Sequence, residues 1–236
     1  MNEQDPEQTL YEGQFESLGY RQKKQPFLKL ADSAPYSDLW PAAIAVGEEH
    51  RPGAVEAWLL KLSGFVSAEE ADQVILPGVG FSGTLSRREW HGFRVRLANH
   101  PRLRIGGAAR LVSRFLDGGL LSGLARCADA NNPEKPTDAL TVIDRGTTYI
   151  GASRTKEMAV NVVLPFLHGL TVMQGEAGHA ARYLASYHKF GKLPNNEITR
   201  EMSEQLINPA WRKVATTARR QQGLIHLKRL LSGEAS

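Results

Sequence analysis

Arginine is the residue type that best equips this chain for chemistry, and it is concentrated in one stretch. From Arg87 to Arg114 there are eight arginines and a single acid, Glu89. Guanidinium groups pair bidentately with phosphate, and arginines along a helix are a common footprint of nucleic-acid binding. The candidate contacts, with one histidine able to stack on a base, are Arg94, Arg96, His100, Arg102, Arg110 and Arg114. Two aromatic residues in the same stretch, Trp90 and Phe93, could also stack on bases.

The arginines have a second interpretation, because a basic patch is not specific for nucleic acid. The first twenty residues hold five acids and neither Lys nor Arg, so a helix there would be an internal partner for the arginines. The segment Trp211–Leu231 holds six bases and no acid. Charge is therefore segregated along the chain. Two alternatives stay open: contact with nucleic acid, or pairing within the molecule or with an acidic protein.

Acids arranged like an enzyme site are scarce. A carboxylate–metal nuclease needs clustered acids beside a lysine, and the nearest approach to this is Asp138, Asp144, Lys156 and Glu157. Solvated surface charges are the favoured interpretation of these four residues. No run of about 18 apolar residues is present, which predicts that no segment spans a membrane.

Three smaller features favour structural roles. Glu176 and His179 stand three residues apart, which without a second ligand pair is typical of a helix-surface contact. Cys127 is the only cysteine, which excludes an intrachain disulfide and fits a reducing cytoplasm. The glycine-rich loop at 76–83 lacks the Lys-Ser/Thr of a phosphate-binding loop. We predict no catalytic residue, no metal and no cofactor, and a chain that is not an enzyme by itself.

Helix signals recur along the chain and predict a mainly α, irregular multi-helix bundle with at most one small β-hairpin. The hairpin is expected at 140–150, with its turn at Asp144–Gly146. The loop Asn131–Pro136 is the candidate boundary between helical halves 1–130 and 131–236, which could also form one continuous domain. The helices are expected at 1–20, 26–33, 39–46, 51–62, 99–116, 153–170, from 195 or 196, and 208–231.

The central helix is predicted to start between Asn99 and Pro101, because Asn caps helices and Pro is tolerated in the first turn. Arg102, Arg110 and Arg114 fan across the side opposite its apolar stripe, so they should be partly exposed and replaceable without loss of the fold. The pair Gly106–Gly107 costs about 2 kcal/mol relative to two alanines. That cost makes sense if a neighbouring helix or a ligand approaches closely there.

Three amides are predicted to fix helix packing. Asn161 falls within an almost entirely apolar helix, and Gln222, beside Gln221, falls in the apolar stripe of the last helix. Because buried amides need partners, replacing Asn161 or Gln222 with alanine should cost about 1–3 kcal/mol. Pro165 predicts a kink, since the carbonyl of Asn161 would lose its helical partner.

Seven segments of the chain carry a family resemblance. They are Leu10–Tyr20, Pro26–Ala31, Leu97–Arg102, Gly107–Leu111, Asn161–Phe166, Asn195–Thr199 and Arg220–Leu224. Together they resemble an uncharacterised bacterial family known only as a domain of unknown function. Its members carry a further N-terminal region with an acidic pattern similar to PD-(D/E)XK nucleases, and often a cysteine-rich tail; neither occurs in this sequence. The resemblance spans nearly the whole chain and implies that it is the C-terminal helical part of such a protein, with any nuclease chemistry in other residues.

The sequence therefore predicts a cytoplasmic, non-catalytic helical module that binds the phosphate backbone of nucleic acid. The resemblance adds that it would be accessory to a nuclease-like domain or to a separate nuclease-like chain. The alternative is a structural subunit that docks on an acidic protein partner. Gel shifts with DNA and RNA at rising salt separate the two alternatives.

Overall fold

The chain is mainly α-helical, with one two-stranded antiparallel sheet in the part that the structure describes. A computed structural model describes residues 5–19, 24–66, 85–90, 99–129, 131–206 and 215–233. The elements are α1 (Pro6–Leu18), α2 (Lys24–Ser33), α3 (Tyr36–Ala45), α4 (Arg51–Leu62), a 3₁₀ turn (Arg87–Glu89), α5 (Pro101–Phe115), α6 (Leu120–Cys127), α7 (Lys135–Leu140), β1 (Val142–Asp144), β2 (Thr147–Ile150), α8 (Ala152–Met158), a π segment (Ala159–Val163), α9 (Leu164–Met173), α10 (Ala177–Lys189), α11 (Glu197–Leu206) and α12 (Ala218–Leu231). The predicted fold class is confirmed.

Helix α1 lies at the centre of the packing. It contacts α2, α3, α5, α6, α8 and the π segment, and its apolar side chains Leu10, Tyr11, Phe15 and Leu18 are almost completely buried. The approach to the π segment is close, since a Cβ added to Gly13 would lie 2.7 Å from Val162 Cγ1. Apolar residues from both sides of the 131–136 loop thus share one core. Separate folding of the two halves stays a prediction.

The central helix α5 begins where predicted, but with a different cap. His100 is the N-cap residue, and its Nδ1 accepts the N–H of Arg102 at 3.3 Å. Asn99 instead accepts a hydrogen bond from Nη2 of Arg104 at 2.5 Å. Arg104 is buried, and it also donates to the carbonyl of Leu18 in α1. The predicted asparagine cap is wrong because a buried guanidinium takes that side chain.

The glycine pair of α5 allows the hairpin to pack closely. A Cβ on Gly106 would lie 2.6 Å from Glu56 Oε1, and one on Gly107 would lie 2.8 Å from Ile150 Cγ1. Tyr149 lies against both glycines. A close approach by a neighbouring helix or a ligand was predicted. The helix α4 approaches at Gly106, as predicted, and the strand β2, which was not predicted there, approaches both glycines.

The β-hairpin forms at the predicted place. Val142 pairs with Ile150, and Asp144 pairs with Thr147. The turn residues Arg145 and Gly146 have φ angles of +46° and +78°, as a two-residue hairpin turn requires. The short Asp-Arg-Gly signal was therefore sufficient to locate the turn.

Pro165 is accommodated by a change of helix type. The α-helical ladder gives way to the π segment over Ala159–Val163, and α9 then starts at Leu164 with Pro165 in its first turn. In the first turn of a helix the backbone N–H groups have no intrahelical acceptor, so proline loses no hydrogen bond there. The disturbance predicted around Asn161 is real, and it takes the form of a π segment.

Two buried tyrosines, Tyr11 in α1 and Tyr36 at the start of α3, differ by one hydrogen bond. The Tyr36 hydroxyl accepts the N–H of Leu120, at the start of α6, at 3.1 Å. The Tyr11 hydroxyl is fully buried and has no partner among the described residues. Burial, followed by the charge of Glu7, raises the pKa of Tyr36 to about 12. Burial also raises the pKa of Tyr11.

We predict that Tyr11→Phe and Tyr36→Phe shift stability in opposite directions. Tyr11→Phe removes an unsatisfied buried hydroxyl and should raise the free energy of unfolding by about 1 kcal/mol. Tyr36→Phe leaves the Leu120 N–H without its acceptor and should lower the free energy of unfolding by about 1 kcal/mol. Urea unfolding at pH 7 measures both changes, and a loss of stability in Tyr11→Phe would contradict the assignment.

Alkaline pH gives a second expected result for the same pair. An unfolded tyrosine ionises near pH 10, whereas folded Tyr36 has a pKa of about 12. The stability that this difference contributes is present below pH 10 and is lost as pH rises from 10 through 12. Stability should therefore fall less steeply over this range in Tyr36→Phe than in the parent chain.

Candidate nucleic-acid interface

The six predicted nucleic-acid contacts do not form one free basic face. Arg94 and Arg96 lie outside the described residues, as does Phe93. His100 is committed to capping α5. Arg102 is exposed. Its backbone N–H donates to His100, and its guanidinium makes no hydrogen bond or ion pair with any residue that the structure describes.

Arg110 is a structural link. Its Nε donates to Asp144 Oδ2 at 2.9 Å, and its Nη1 donates to Glu56 Oε2 at 2.5 Å and to the Gly106 carbonyl at 3.0 Å. The guanidinium also lies over the Tyr149 ring, 4.1 Å from its centroid. Burial alone would lower the pKa of Arg110, but the two carboxylates raise it above its ordinary value. Only 18% of the side chain is exposed, so Arg110 joins α4, α5 and β1 and is not free to bind phosphate.

Arg114 is exposed but also engaged. It donates from Nη1 to the carbonyl of Ala139 and from Nη2 to the carbonyl of Thr141 at 3.0 Å. These carbonyls lie at the end of α7, where a helix leaves acceptors without backbone partners. The predicted partial exposure of Arg110 and Arg114 is confirmed. Their predicted position outside the packing is wrong, because each connects α5 to a neighbouring element, and survival of the fold without them stays a prediction.

The acidic first helix is not the counter-charge of these arginines. In α1, Glu7 accepts the N–H of Leu121 at 3.0 Å, and Glu16 pairs with Lys24 at 2.7 Å. Glu7 thereby caps α6, since a carboxylate is favourable at a helix N-terminus. Burial is the main cause of its raised pKa. The ion pairs that the structure describes for α5 are those of Arg110 with Glu56 of α4 and with Asp144 of the hairpin.

Trp90 is a core residue and not a stacking platform. It is 7% exposed, and its Nε1 donates to the carbonyl of Ser63 at 2.8 Å. Its ring packs edge-on against Phe27, with centroids 5.0 Å apart. The proposed stacking of Trp90 on a base is wrong, because the indole is already enclosed.

The three amides have different roles. Gln221 is 2% exposed; its Oε1 accepts the N–H of Leu193 at 2.7 Å, and its Nε2 donates to the Leu193 carbonyl at 2.9 Å and to Asn195 Oδ1 at 3.2 Å. Asn161 is exposed, and its Oδ1 accepts from Gln222 Nε2 at 2.7 Å. The predicted burial of Asn161 is wrong, since the π segment places this residue on the surface. The apolar stripe predicted for the last helix included Gln222, but in the structure the neighbouring Gln221 is the buried residue.

Three of the four residues considered for metal chemistry are held in separate pairs, and the fourth, Asp138, is exposed on α7. Asp144 binds Arg110, Lys156 pairs with Glu134 at 2.8 Å, and Glu157 pairs with Arg154 at 2.6 Å. The Glu176–His179 pair is a surface contact of 2.8 Å. Within the described ranges, no group of three or more His, Cys, Asp or Glu is arranged to hold a metal ion.

A basic cleft lies where the end of α10 meets the start of α12. We use the name basic cleft for the depression of about 570 Å³ lined by His188, Thr216, Thr217, Arg219 and Arg220. Both arginines are exposed. Thr217 caps α12 through the N–H of Arg220, and Thr216 Oγ1 accepts from Arg220 Nη1 at 3.1 Å. Arg219 lies near the end of α10, where its charge partly offsets the burial that raises the pKa of Tyr187.

The buried Gln221 fixes the geometry of this cleft. Its three hydrogen bonds tie the first turn of α12 to the 193–195 loop. The N–H of Ala218 adds bonds to the carbonyls of Phe190 and Gly191 at 3.3 and 3.1 Å. The arginines of the cleft therefore project from a helix start that is anchored to α10.

The sequence contained a signal for the basic cleft, namely the absence of acids from Trp211–Leu231. What it did not show is where the helix begins. The helix was predicted from residue 208, whereas α12 starts at Ala218 with Thr217 as its cap. The 208–214 part of that prediction lies outside the described residues. A later start brings Arg219 and Arg220 into the first turn, beside His188.

Comparison of the chain with family models, with curated proteins and with solved structures finds no match. The resemblance to a bacterial family of unknown function therefore stays a prediction. In the described part of the chain, no helix combines the length and the apolar character that crossing a membrane requires.

We predict that Gln221→Ala and Gln222→Ala have very different costs. Gln221→Ala leaves both backbone groups of buried Leu193 without their partner and should lower the free energy of unfolding by about 2 kcal/mol. Gln222→Ala removes one hydrogen bond to exposed Asn161 and should change it by less than about 0.5 kcal/mol. Chemical denaturation of the two variants measures this, and equal costs would contradict the assigned roles.

Arg110→Gln should also destabilise the fold. The change leaves the half-buried Glu56 and Asp144 without their cation, at a cost of about 2 kcal/mol. Arg102→Gln is the matched control on the same helix and should cost less than about 0.5 kcal/mol. If the melting temperature and the denaturant midpoint of Arg110→Gln equal those of the control, the link between α4, α5 and β1 contributes nothing to stability.

Proposed function

We propose that this chain is a non-catalytic helical module that binds the phosphate backbone of nucleic acid at the basic cleft. The observation that carries the proposal is a cleft with two exposed arginines and no acid among the described residues that line it. Neither α10 nor α12 contains Asp or Glu within its bounds. A phosphate entering from solvent therefore meets no repelling carboxylate on either helix.

The cleft has three features that favour an anion. The start of α12 carries the partial positive charge of a helix N-terminus. Arg219 and Arg220 add two full charges beside it, and the exposed Lys189 and Lys192 follow on the α10 side. The volume of about 570 Å³ lies within the roughly 300–1,000 Å³ of typical ligand sites. A nucleotide-sized group is thus accommodated.

The cleft supports contacts to phosphate better than contacts to bases. Among the lining residues that the structure describes, only His188 has a ring on which a base could stack. Contacts to phosphate position a protein on nucleic acid without reading its sequence. We therefore expect binding that varies little with base composition.

Two further parts of the proposal have weaker support. A reducing location such as the cytoplasm rests on Cys127 being the single cysteine and on the usual confinement of disulfides to oxidising compartments. A nuclease-like partner, in the same chain or in a separate one, rests on the family resemblance. The alternative of docking on an acidic protein is supported by the same exposed arginines.

The test is the double variant Arg219→Gln, Arg220→Gln, measured against DNA and RNA at several salt concentrations. Each lost phosphate contact should make the dependence of log affinity on log salt shallower by about 0.7–0.9. The loss should be similar for different sequences, and circular dichroism should show an unchanged helix content. The matched control is Arg102→Gln, which removes an exposed arginine from α5.

The two variants distinguish the possible interfaces. If only Arg102→Gln weakens binding, the interface is at α5 and the basic cleft is not the site. If the parent chain binds neither DNA nor RNA at low salt, the nucleic-acid proposal fails and docking on an acidic protein is preferred.

A further inference from the structure

The described side chains that line the basic cleft present hydrogen-bond donors to solvent. The exposed guanidinium of Arg219 makes no hydrogen bond or ion pair with any residue that the structure describes. Arginine carries five N–H donors and no acceptor. His188 is also exposed, and a histidine ring has at least one N–H in either charge state. A ligand that fills this cleft must therefore be rich in acceptors.

Two threonine hydroxyls of the cleft are left to act as donors by their contacts with Arg220. Thr216 Oγ1 accepts from Arg220 Nη1 at 3.1 Å, and Thr217 Oγ1 accepts from the backbone N–H of Arg220 at 3.4 Å. Neither hydroxyl donates its hydrogen to a residue that the structure describes. Because a hydroxyl has one hydrogen to donate, both hydrogens remain for a ligand.

A terminal phosphate matches these donors better than an internal phosphate does. An internal phosphodiester has a single negative charge and two free oxygens. A phosphate monoester carries about 1.5 to 2 negative charges at pH 7 and has three free oxygens. The described donors lie around one depression of about 570 Å³, compact enough for one phosphate to meet several of them. The cleft therefore favours the ligand that brings the most charge and the most acceptors to a single point.

We propose that the basic cleft binds the terminal phosphate of a nucleic-acid end. Arg219 pairs with two oxygens of that phosphate, as guanidinium groups do, and the hydroxyls of Thr216 and Thr217 donate to its remaining acceptor sites. His188 lies beside the sugar and base of the terminal nucleotide. This inference rests on the proposed function, because it names which phosphate of the nucleic acid the cleft takes.

The test compares single-stranded oligonucleotides that differ only at their ends. One carries a 5′-phosphate and one a 3′-phosphate. The third has hydroxyls at both ends and one more nucleotide, so all three contain the same number of phosphates. Fluorescence anisotropy, with the dye on an internal base, measures binding to the full chain at fixed salt. At least one phosphorylated oligonucleotide should bind about tenfold more tightly than the third, because it adds charge-assisted hydrogen bonds.

Two variants assign this preference to the cleft. Arg219→Gln should bind the phosphorylated and the hydroxyl-ended oligonucleotides with equal affinity. Thr216→Val removes a hydroxyl and keeps the shape of the side chain, so it should reduce the preference without abolishing binding of the hydroxyl-ended oligonucleotide. The matched control is Arg102→Gln, which removes an exposed arginine of α5 and should keep the full preference. Circular dichroism should show the same helix content in all three variants.

The outcomes separate this inference from the proposed function. If the parent chain binds all three oligonucleotides alike, the inference is overturned and binding of the phosphate backbone is unaffected. If the parent binds none of them at low salt, the proposed function fails as well. A preference that persists in Arg219→Gln would also overturn the inference, because the terminal phosphate would then be held elsewhere. The same holds if an equal concentration of a nucleoside monophosphate displaces the oligonucleotide, since the ligand would then be a free nucleotide.

Discussion

Burial of α1 is the constraint on which the other helices depend. This helix contacts six elements, drawn from both sides of the 131–136 loop. Its polar residues serve the same packing, since Glu7 caps α6 and Gln8 accepts the N–H of Tyr36 at 2.8 Å. An acidic segment that the sequence offered as a counter-charge for the arginines is thus the organising element of the core. Two of its acids serve its own packing, since Glu7 accepts a backbone N–H and Glu16 pairs with a lysine of α2.

The arginines of α5 show why a count of basic residues does not locate a basic surface. A guanidinium that folding partly buries must find acceptors, because an unpaired buried charge is expensive. Arg104 finds the carbonyl of Leu18, Arg110 finds two carboxylates, and Arg114 finds the end of α7. These three guanidinium groups are therefore bound to acceptors of the chain itself. The exposed arginines of the basic cleft come from a different helix, where the sequence supplies no acids.

What could be predicted from the sequence was local. Pro6 and Pro52 mark the starts of α1 and α4, and the Asp144–Gly146 turn locates the hairpin. Each of these signals acts within a few residues of itself. The pairing of Arg110 with Glu56 and Asp144 spans 54 and 34 residues. Nothing in a linear pattern states which of 25 acids will lie beside a given arginine, so the basic cleft could be recognised only after the helices were placed.

The π segment has a consequence for how this chain can change in length. A π turn contains one residue more than the α turn that it replaces. Because the π turn takes up that residue within a single turn, deleting one residue of Ala159–Val163 would leave a regular α turn and keep α9 facing α10, against which it packs. Deleting a residue from the regular part of α8 or α9 would instead rotate the helix that follows by about 100°. The π segment is therefore a place where this helical stretch can lose a residue without turning its apolar residues away from their neighbours.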